Sequence, residues 1–298
     1  MKVKHKVVYE KGSSPQNEDA YSINIEHNIF AVLDGATALV KNNVNGSTAS
    51  RIIKEHIDSA DSKVDLLSLI IDANKKLGEE VVKSLSDTGI TSIEDVSKEA
   101  RSSTGLVVIK LENNQLHYLH AGDCMLFVQY HSGSIRSLTY DQISPLDAIS
   151  IEKAGIVKKR LLNEGKYSLS NQEKAPEFLK EVRNNILPTL QKNRKMLNTP
   201  AGYGIIDGSS EAEQYLEYGK VNLNNVSKIL MLSDGLQLPH IKAGGSECWK
   251  QTAELAFQKG LHHLYQTVQT LENQDPFCIQ HPRLKPSDDK TGILIELS

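Results

Sequence analysis

Ile29-Phe30-Ala31-Val32-Leu33-Asp34-Gly35 is an apolar run of strand length that stops at an Asp-Gly, and its reading decides the fold. The same construction returns as Ile229-Leu230-Met231-Leu232-Ser233-Asp234-Gly235. Unbroken hydrophobic stretches this short predict strands buried on both faces, with the acid where each strand leaves the core. The plain alternative is a hairpin turn, for which Asp-Gly is a strong signal. A hairpin needs a returning strand at once. Neither Ala36-Thr37-Ala38-Leu39-Val40-Lys41-Asn42-Asn43 nor Leu236-Gln237-Leu238-Pro239-His240 alternates cleanly, and Pro239 would interrupt a strand. Two matched copies are therefore read as a carboxylate pair presented by rigid strand ends.

The chain around them is that of an ordinary soluble protein. At 298 residues it has length for one large domain or two smaller ones. A hydrophobic share of 39% and a charged share of 24% fit a globular fold. With 34 Lys+Arg against 37 Asp+Glu the net charge is -3, so no basic surplus argues for nucleic acid or an anionic membrane as partner. The start, Met1 to Tyr9, lacks the apolar region of a signal peptide, and no stretch has the length of a transmembrane helix. Cys124, Cys248 and Cys278 are too widely spaced for a disulfide framework or a zinc cluster, which favours a reducing, cytoplasmic setting.

Strands are expected at residues 2–9 and 20–33, with helices at 47–57 and 65–85. Residues 104–138 carry short strands with short connections, as an antiparallel meander would. The stretch 140–210 mixes helical pieces (147–158 and 176–187) with polar loops and lacks the apolar residues for its own core, so it is read as an insertion or flap. A strand at 228–232, a long amphipathic helix over 246–271 and a last strand at 292–297 complete the pattern.

Carboxylates recur at the edges of these strands: Glu18-Asp19, Asp34, Asp123, Asp234 and Asp288-Asp289. Gathered at one rim they would repel one another and raise each other's pKa unless a cation neutralised them. An all-oxygen set selects a hard cation, Mg²⁺ or Mn²⁺, over zinc. Glycine after Asp34 has no Cβ to keep its carbonyl from such an ion.

Asn17-Glu18-Asp19-Ala20, Val32-Leu33-Asp34-Gly35, Ser103-Thr104-Gly105, Ala121-Gly122-Asp123, Leu232-Ser233-Asp234-Gly235-Leu236 and Asp288-Asp289-Lys290-Thr291 stand in an order and approximate spacing that resembles the metal-dependent type-2C protein serine/threonine phosphatases, the PPM family. Leu138-Thr139-Tyr140-Asp141-Gln142 is similar to the opening of that family's flap. The resemblance implies an α+β four-layer sandwich, two central mostly antiparallel β-sheets flanked by helices, forming a single catalytic domain over 1–298 with a flap at about 140–210. It also implies two Mn²⁺ or Mg²⁺ ions per chain. Asp34 would bridge them, Asp234 and Asp288 would complete one, and Glu18 with the Gly35 carbonyl would hold the other. Asp123 would serve a third, weaker ion, and Asp19 would support the ligands from behind. The implied reaction is hydrolysis of phosphoserine or phosphothreonine in a phosphorylated protein substrate, by water activated between two ions about 3.5–4 Å apart.

The substrate side departs from the family. Ser14 stands where members often carry a phosphate-gripping arginine, and Ala36 where many carry a histidine. An arginine–phosphate contact contributes about 1.5–3 kcal/mol. Lys11 or Arg101 is expected to compensate. The alternatives are a catalytically weak or inactive phosphatase-like binding or regulatory module and a small-molecule phosphatase. Three other features read as structural. Gly202, Gly204 and Gly208 fail a dinucleotide fingerprint at Asp207. His120 suits a hydrogen-bonded strand end, and Lys158-Lys159-Arg160 a solvated face.

Overall fold

A computed structural model describes residues 3–40, 46–61, 63–239 and 246–297. The continuations quoted after the two Asp-Gly pairs run outside them at 41–43 and 240, as does Lys2 of the expected first strand. Two five-stranded antiparallel sheets form the centre. One has the order β1-β10-β9-β6-β7, built from β1 (Val3–Glu10), β6 (Met125–Tyr130), β7 (Ile135–Ser137), β9 (Val226–Leu232) and β10 (Lys290–Leu297). The other has the order β2-β3-β4-β5-β8, from β2 (Ala20–Asn24), β3 (Ile29–Ala36), β4 (Ser103–Glu112), β5 (Gln115–Ala121) and β8 (Glu217–Asn222).

Strand periodicity explains why the apolar run of β3 has no polar face. Phe30 and Val32 point between the sheets, where they meet Val107, Ile109, Met231 and Ile293. Ile29, Ala31 and Leu33 point the other way, against Ile53 and Ile57 of α1 (Gly46–Asp58) and Ile70 and Leu77 of α2 (Leu66–Ser84). Asp65 caps α2 by accepting from the Ser68 N–H at 3.0 Å. On the far side, Leu230, Leu232 and Leu294 pack on Trp249, Phe257 and Leu264 of α5 (Ser246–Lys259) and α6 (Leu261–Gln274). Helix, sheet, sheet and helix make the expected four layers. Each large side chain fully buried between them contributes about 1.5–3 kcal/mol.

Several expectations need correction. The helix over 246–271 is two helices, broken at Gly260, whose φ of 91° leaves the helical region. The meander over 104–138 is divided: β4 and β5 pair in one sheet, and after Asp123 the chain crosses to β6 and β7 in the other. β8 was not foreseen, because Glu217–Asn222 is a largely exposed edge strand without an apolar alternation. The 140–210 stretch does contain a small core. Its helices α3 (Ser144–Asn163) and α4 (Ala175–Arg194) bury Leu161, Phe178, Val182 and Ile186, completed by Phe277 and Cys278 from the loop before β10. Lys158 is not on a solvated face: it is buried and donates to the carbonyls of Cys278 at 2.8 Å and Arg283 at 3.2 Å. Among the described residues no helix is long and apolar enough to cross a membrane.

Candidate metal centre

Antiparallel pairing brings together acids that lie far apart in the chain. Gly292 of β10 faces Leu232 of β9, so the end of β9 that leads to Asp234 adjoins the start of β10 that follows Asp288. The Ser233 N–H donates to the Thr291 carbonyl at 2.9 Å and locks this junction. In the other sheet Asp34 lies inside β3 rather than beyond its end, paired with Gly105. Asp123 lies in the turn between β5 and β6. Glu18, Asp34, Gly35, Asp123, Asp234 and Asp288 all line a single pocket of about 380 Å³.

The glycines have a reason that was not legible in the sequence. A Cβ on Gly35 would stand 2.2 Å from the Glu18 carbonyl oxygen, and one on Gly235 would stand 1.8 Å from that of Asp289. Each Asp-Gly thus lets a strand end touch the backbone that presents another acid. Asp19 and Asp289 lie behind the pocket and are fully buried. Asp19 Oδ2 accepts from Ser233 Oγ at 2.8 Å. Asp289 accepts from the Gly12 and Glu18 N–H groups, both at 2.7 Å, and so pins the loop that carries Glu18. Replacing Asp289 with Ala should cost about 2–4 kcal/mol, since it removes charge-assisted bonds and strands two N–H groups. Accelerated proteolysis within residues 11–19 would report the released loop.

Electrostatics at the rim is strained. Burial raises the pKa of Asp34 well above the ordinary value, and Asp19, Asp234, Asp123 and Asp288 add to it. Asp123 is raised well above its ordinary value by burial and by Asp234 and Asp141. Burial and Asp288 raise Asp234 to about 6, opposed by its hydrogen bond with Asp34. Asp147, in the first turn of α3, is raised to about 7 by burial with Asp234 and Asp141. Between the ordinary value of 3.8 and these raised values, the folded state holds protons that the unfolded chain has released. Metal-free protein should therefore lose stability as pH rises from about 4 to about 7. Asp147 alone accounts for on the order of 2–4 kcal/mol. Thermal melts in EDTA across that range check this, and Asp147→Asn should flatten the slope.

Asp141 and Asp147 are pocket residues that the sequence reading did not assign. Asp141 lies in the flap-opening stretch quoted above, where it accepts from the Ser144 N–H at 2.9 Å and from Trp249 Nε1 at 2.9 Å. Asp147 carries no sequence signal; only helix packing places it. The cations were also misplaced. Lys11 is not among the residues lining the pocket; its Nζ lies 3.4 Å from the Pro15 carbonyl. Arg101 is buried and paired with Asp207 at 2.9 Å, so it cannot meet a substrate at the rim. The pocket is faced instead by Arg183 and Arg194 from α4, by Lys285, and by Arg283, which is paired with Asp275 at 3.1 Å. Arg194 donates to Ser103 Oγ at 2.8 Å and to the Thr37 carbonyl at 3.1 Å, tying α4 to the strand ends. His120 is buried in β5 and does not line the pocket; its Nδ1 lies 3.6 Å from Glu217, and against expectation neither ring nitrogen makes a hydrogen bond among the described residues.

The donors suit a hard cation in kind, since every expected side-chain ligand is a carboxylate and none is a thiolate or an imidazole. Their arrangement is not that of a preformed site: among the described residues no three His, Cys, Asp or Glu side chains converge as a metal-holding cluster. Groups outside the acid set engage Glu18 and Asp288. Glu18 Oε1 accepts from Thr37 Oγ1 and, at 3.2 Å, from the Gly46 N–H. Asp288 Oδ1 accepts from Lys285 Nζ at 2.6 Å. Burial disfavours the charged form of Lys285, but Asp288, Asp34 and Asp234 outweigh it and push its pKa up.

Two central antiparallel sheets between helical layers, with acids lining one pocket, match known architectures over nearly the whole chain. The structure aligns with the serine/threonine phosphatase Stp1 from Staphylococcus aureus with a TM-score of 0.55 at 16% identity, covering 100% of this chain and 96% of that one. It has the fold of the type-2C serine/threonine phosphatases. Against the Mycobacterium tuberculosis serine/threonine phosphatase PstP/Ppp the TM-score is 0.53 at 16% identity, covering 99% of each chain. The PstP catalytic domain in complex with two manganese ions gives 0.51 at 15% identity, covering 99% of this chain and 97% of that one. No family model matches the sequence, and no curated protein matches it. The type-2C fold is thus shared at an identity where only the architecture is common.

Proposed function

We propose that this chain is a metal-dependent phosphoprotein phosphatase of the PPM family, a single catalytic unit with α3 and α4 as its flap. One observation carries the proposal: Glu18, Asp34, Gly35, Asp123, Asp234 and Asp288 line one pocket of a type-2C fold. Asp34 would bridge two Mn²⁺ or Mg²⁺ ions, with Asp234 and Asp288 on one, Glu18 and the Gly35 carbonyl on the other, and Asp123 on a third. The two manganese ions bound by the PstP catalytic domain support this stoichiometry. Ions so held lower the pKa of bound water and neutralise phosphoryl charge. The chain's own part is to hold the acids on paired strand ends, with Asp19 and Asp289 bracing them from behind. Arg194 and Arg183 offer the positive charge for a phosphoserine or phosphothreonine that Ser14 does not supply. Cys124, Cys248 and Cys278 form no disulfide, which suits a reducing cytoplasm.

Purified protein should hydrolyse phosphoserine and phosphothreonine peptides when Mn²⁺ is added and lose that turnover in EDTA. Absence of metal-dependent turnover in folded protein would end this reading. A second reading, a phosphopeptide-binding module without turnover, is favoured by Ser14 and Ala36 and by the lack of a preformed metal cluster among the described residues. Phosphopeptide binding that survives EDTA, with no hydrolysis of any aryl phosphate, would select it.

A further inference from the structure

Lys285 stands in the loop between α6 and β10, and that loop is held rigidly. Arg283 donates to the carbonyls of Asp275 at 2.7 Å, Glu272 at 3.0 Å and Pro286 at 3.0 Å. Its neighbour Lys290 is committed elsewhere, buried and bonded to Glu272, Ser287 and the Asp288 carbonyl. With its backbone fixed, Lys285 directs Nζ onto Asp288 Oδ1 at 2.6 Å, on the pocket that Asp34, Asp123 and Asp234 share. Among the described residues it is the one basic side chain in an ion pair with an expected ligand.

We propose that Lys285 is a built-in counter-cation of the carboxylate centre: its ammonium sits on Asp288 Oδ1, so that a divalent ion must compete with it for that carboxylate. The proposal rests on the metal-site reading above and deepens it. In the metal-free protein the ammonium offsets part of the repulsion among the acids, which lets the strand ends stay together without an ion. Loading then exchanges one cation for another. The protein consequently needs a higher free metal concentration than the same carboxylates would need alone. The loop geometry makes Lys285 a competitor for the site rather than a ligand, because an ammonium donates and cannot coordinate.

Calorimetric titration of the intact chain with MnCl₂ at pH 7 and fixed ionic strength tests this. Lys285→Met and Lys285→Gln should each bind Mn²⁺ at least ~10-fold more tightly than wild type and melt at lower temperature in EDTA. Lys285→Arg, which keeps the charge, should stay within ~3-fold of wild type. Mn²⁺ binding by the neutral variants but not by wild type would also support the proposal. Unchanged or weaker binding in both neutral variants, with wild type binding Mn²⁺, overturns the Lys285 proposal alone. If none of the proteins binds Mn²⁺, the metal-site reading and this inference fall together.

Discussion

Asp34→Asn should produce a protein that is more stable without metal and at least ~10²-fold slower with it. The opposite signs come from one cause. Asp34 lies inside β3, faces the pocket with Asp123, Asp234 and Asp288, and has its pKa held well above the ordinary value by burial and by those neighbours. Asparagine keeps the shape and the backbone pairing with Gly105 while removing one charge from a crowded rim. At neutral pH this relieves repulsion worth on the order of 1–3 kcal/mol, seen as a rise of a few degrees in the melting temperature in EDTA. Turnover should fall by more than the ~10–100-fold typical of groups that only support a ligand, since Asp34 is proposed to touch both ions. Phosphopeptide hydrolysis in saturating Mn²⁺ measures the second effect. A variant that melts lower in EDTA, or that retains wild-type turnover, would remove Asp34 from the centre of the proposed site.

Arg101→Met should destabilise the fold by about 3–5 kcal/mol, lowering the melting temperature by roughly 10 °C, without changing KM for a phosphopeptide at temperatures where the protein remains folded. The Arg101 and Asp207 side chains are 4% and 0% exposed, and their ion pair is completed on every side. Arg101 Nε donates to the Val96 carbonyl at 2.9 Å. Asp207 Oδ1 accepts from Asn198 Nδ2 at 3.0 Å and from Ser209 Oγ at 2.6 Å. Removing one partner leaves a buried charge uncompensated, which costs far more than the net worth of the intact pair. The double variant Arg101→Met/Asp207→Leu should accordingly be more stable than either single change. An increase in KM without loss of stability would return Arg101 to the substrate side, as a cation that makes up for Ser14.

That misplacement shows where sequence reading stops. Lys11 is the base nearest the first acidic motif in sequence, and Arg101 lies just before Ser103-Thr104-Gly105. Closeness in sequence says little about the side of a sheet on which a residue lands. Arg101 enters the space beneath β4 with Asp207, while Arg194 reaches the rim because α4 folds back over the strand ends. Asp147 was invisible for the same reason: one acid in a helix carries no pattern, and only packing brings it beside Asp234. The long helix over 246–271 failed on a single residue, Gly260, which a 3.6-residue periodicity does not register.

The sequence by itself determined the two central strands, the acids near their ends and the helices α1 and α2, because strand and helix periodicity and the burial of apolar runs are local properties of residue order. Tertiary structure alone decided which sheet each strand joins, which basic side chains reach the pocket, and that Gly35 and Gly235 serve backbone contact. Those outcomes depend on register and packing between segments as much as 277 residues apart, and no local pattern encodes the distance between them.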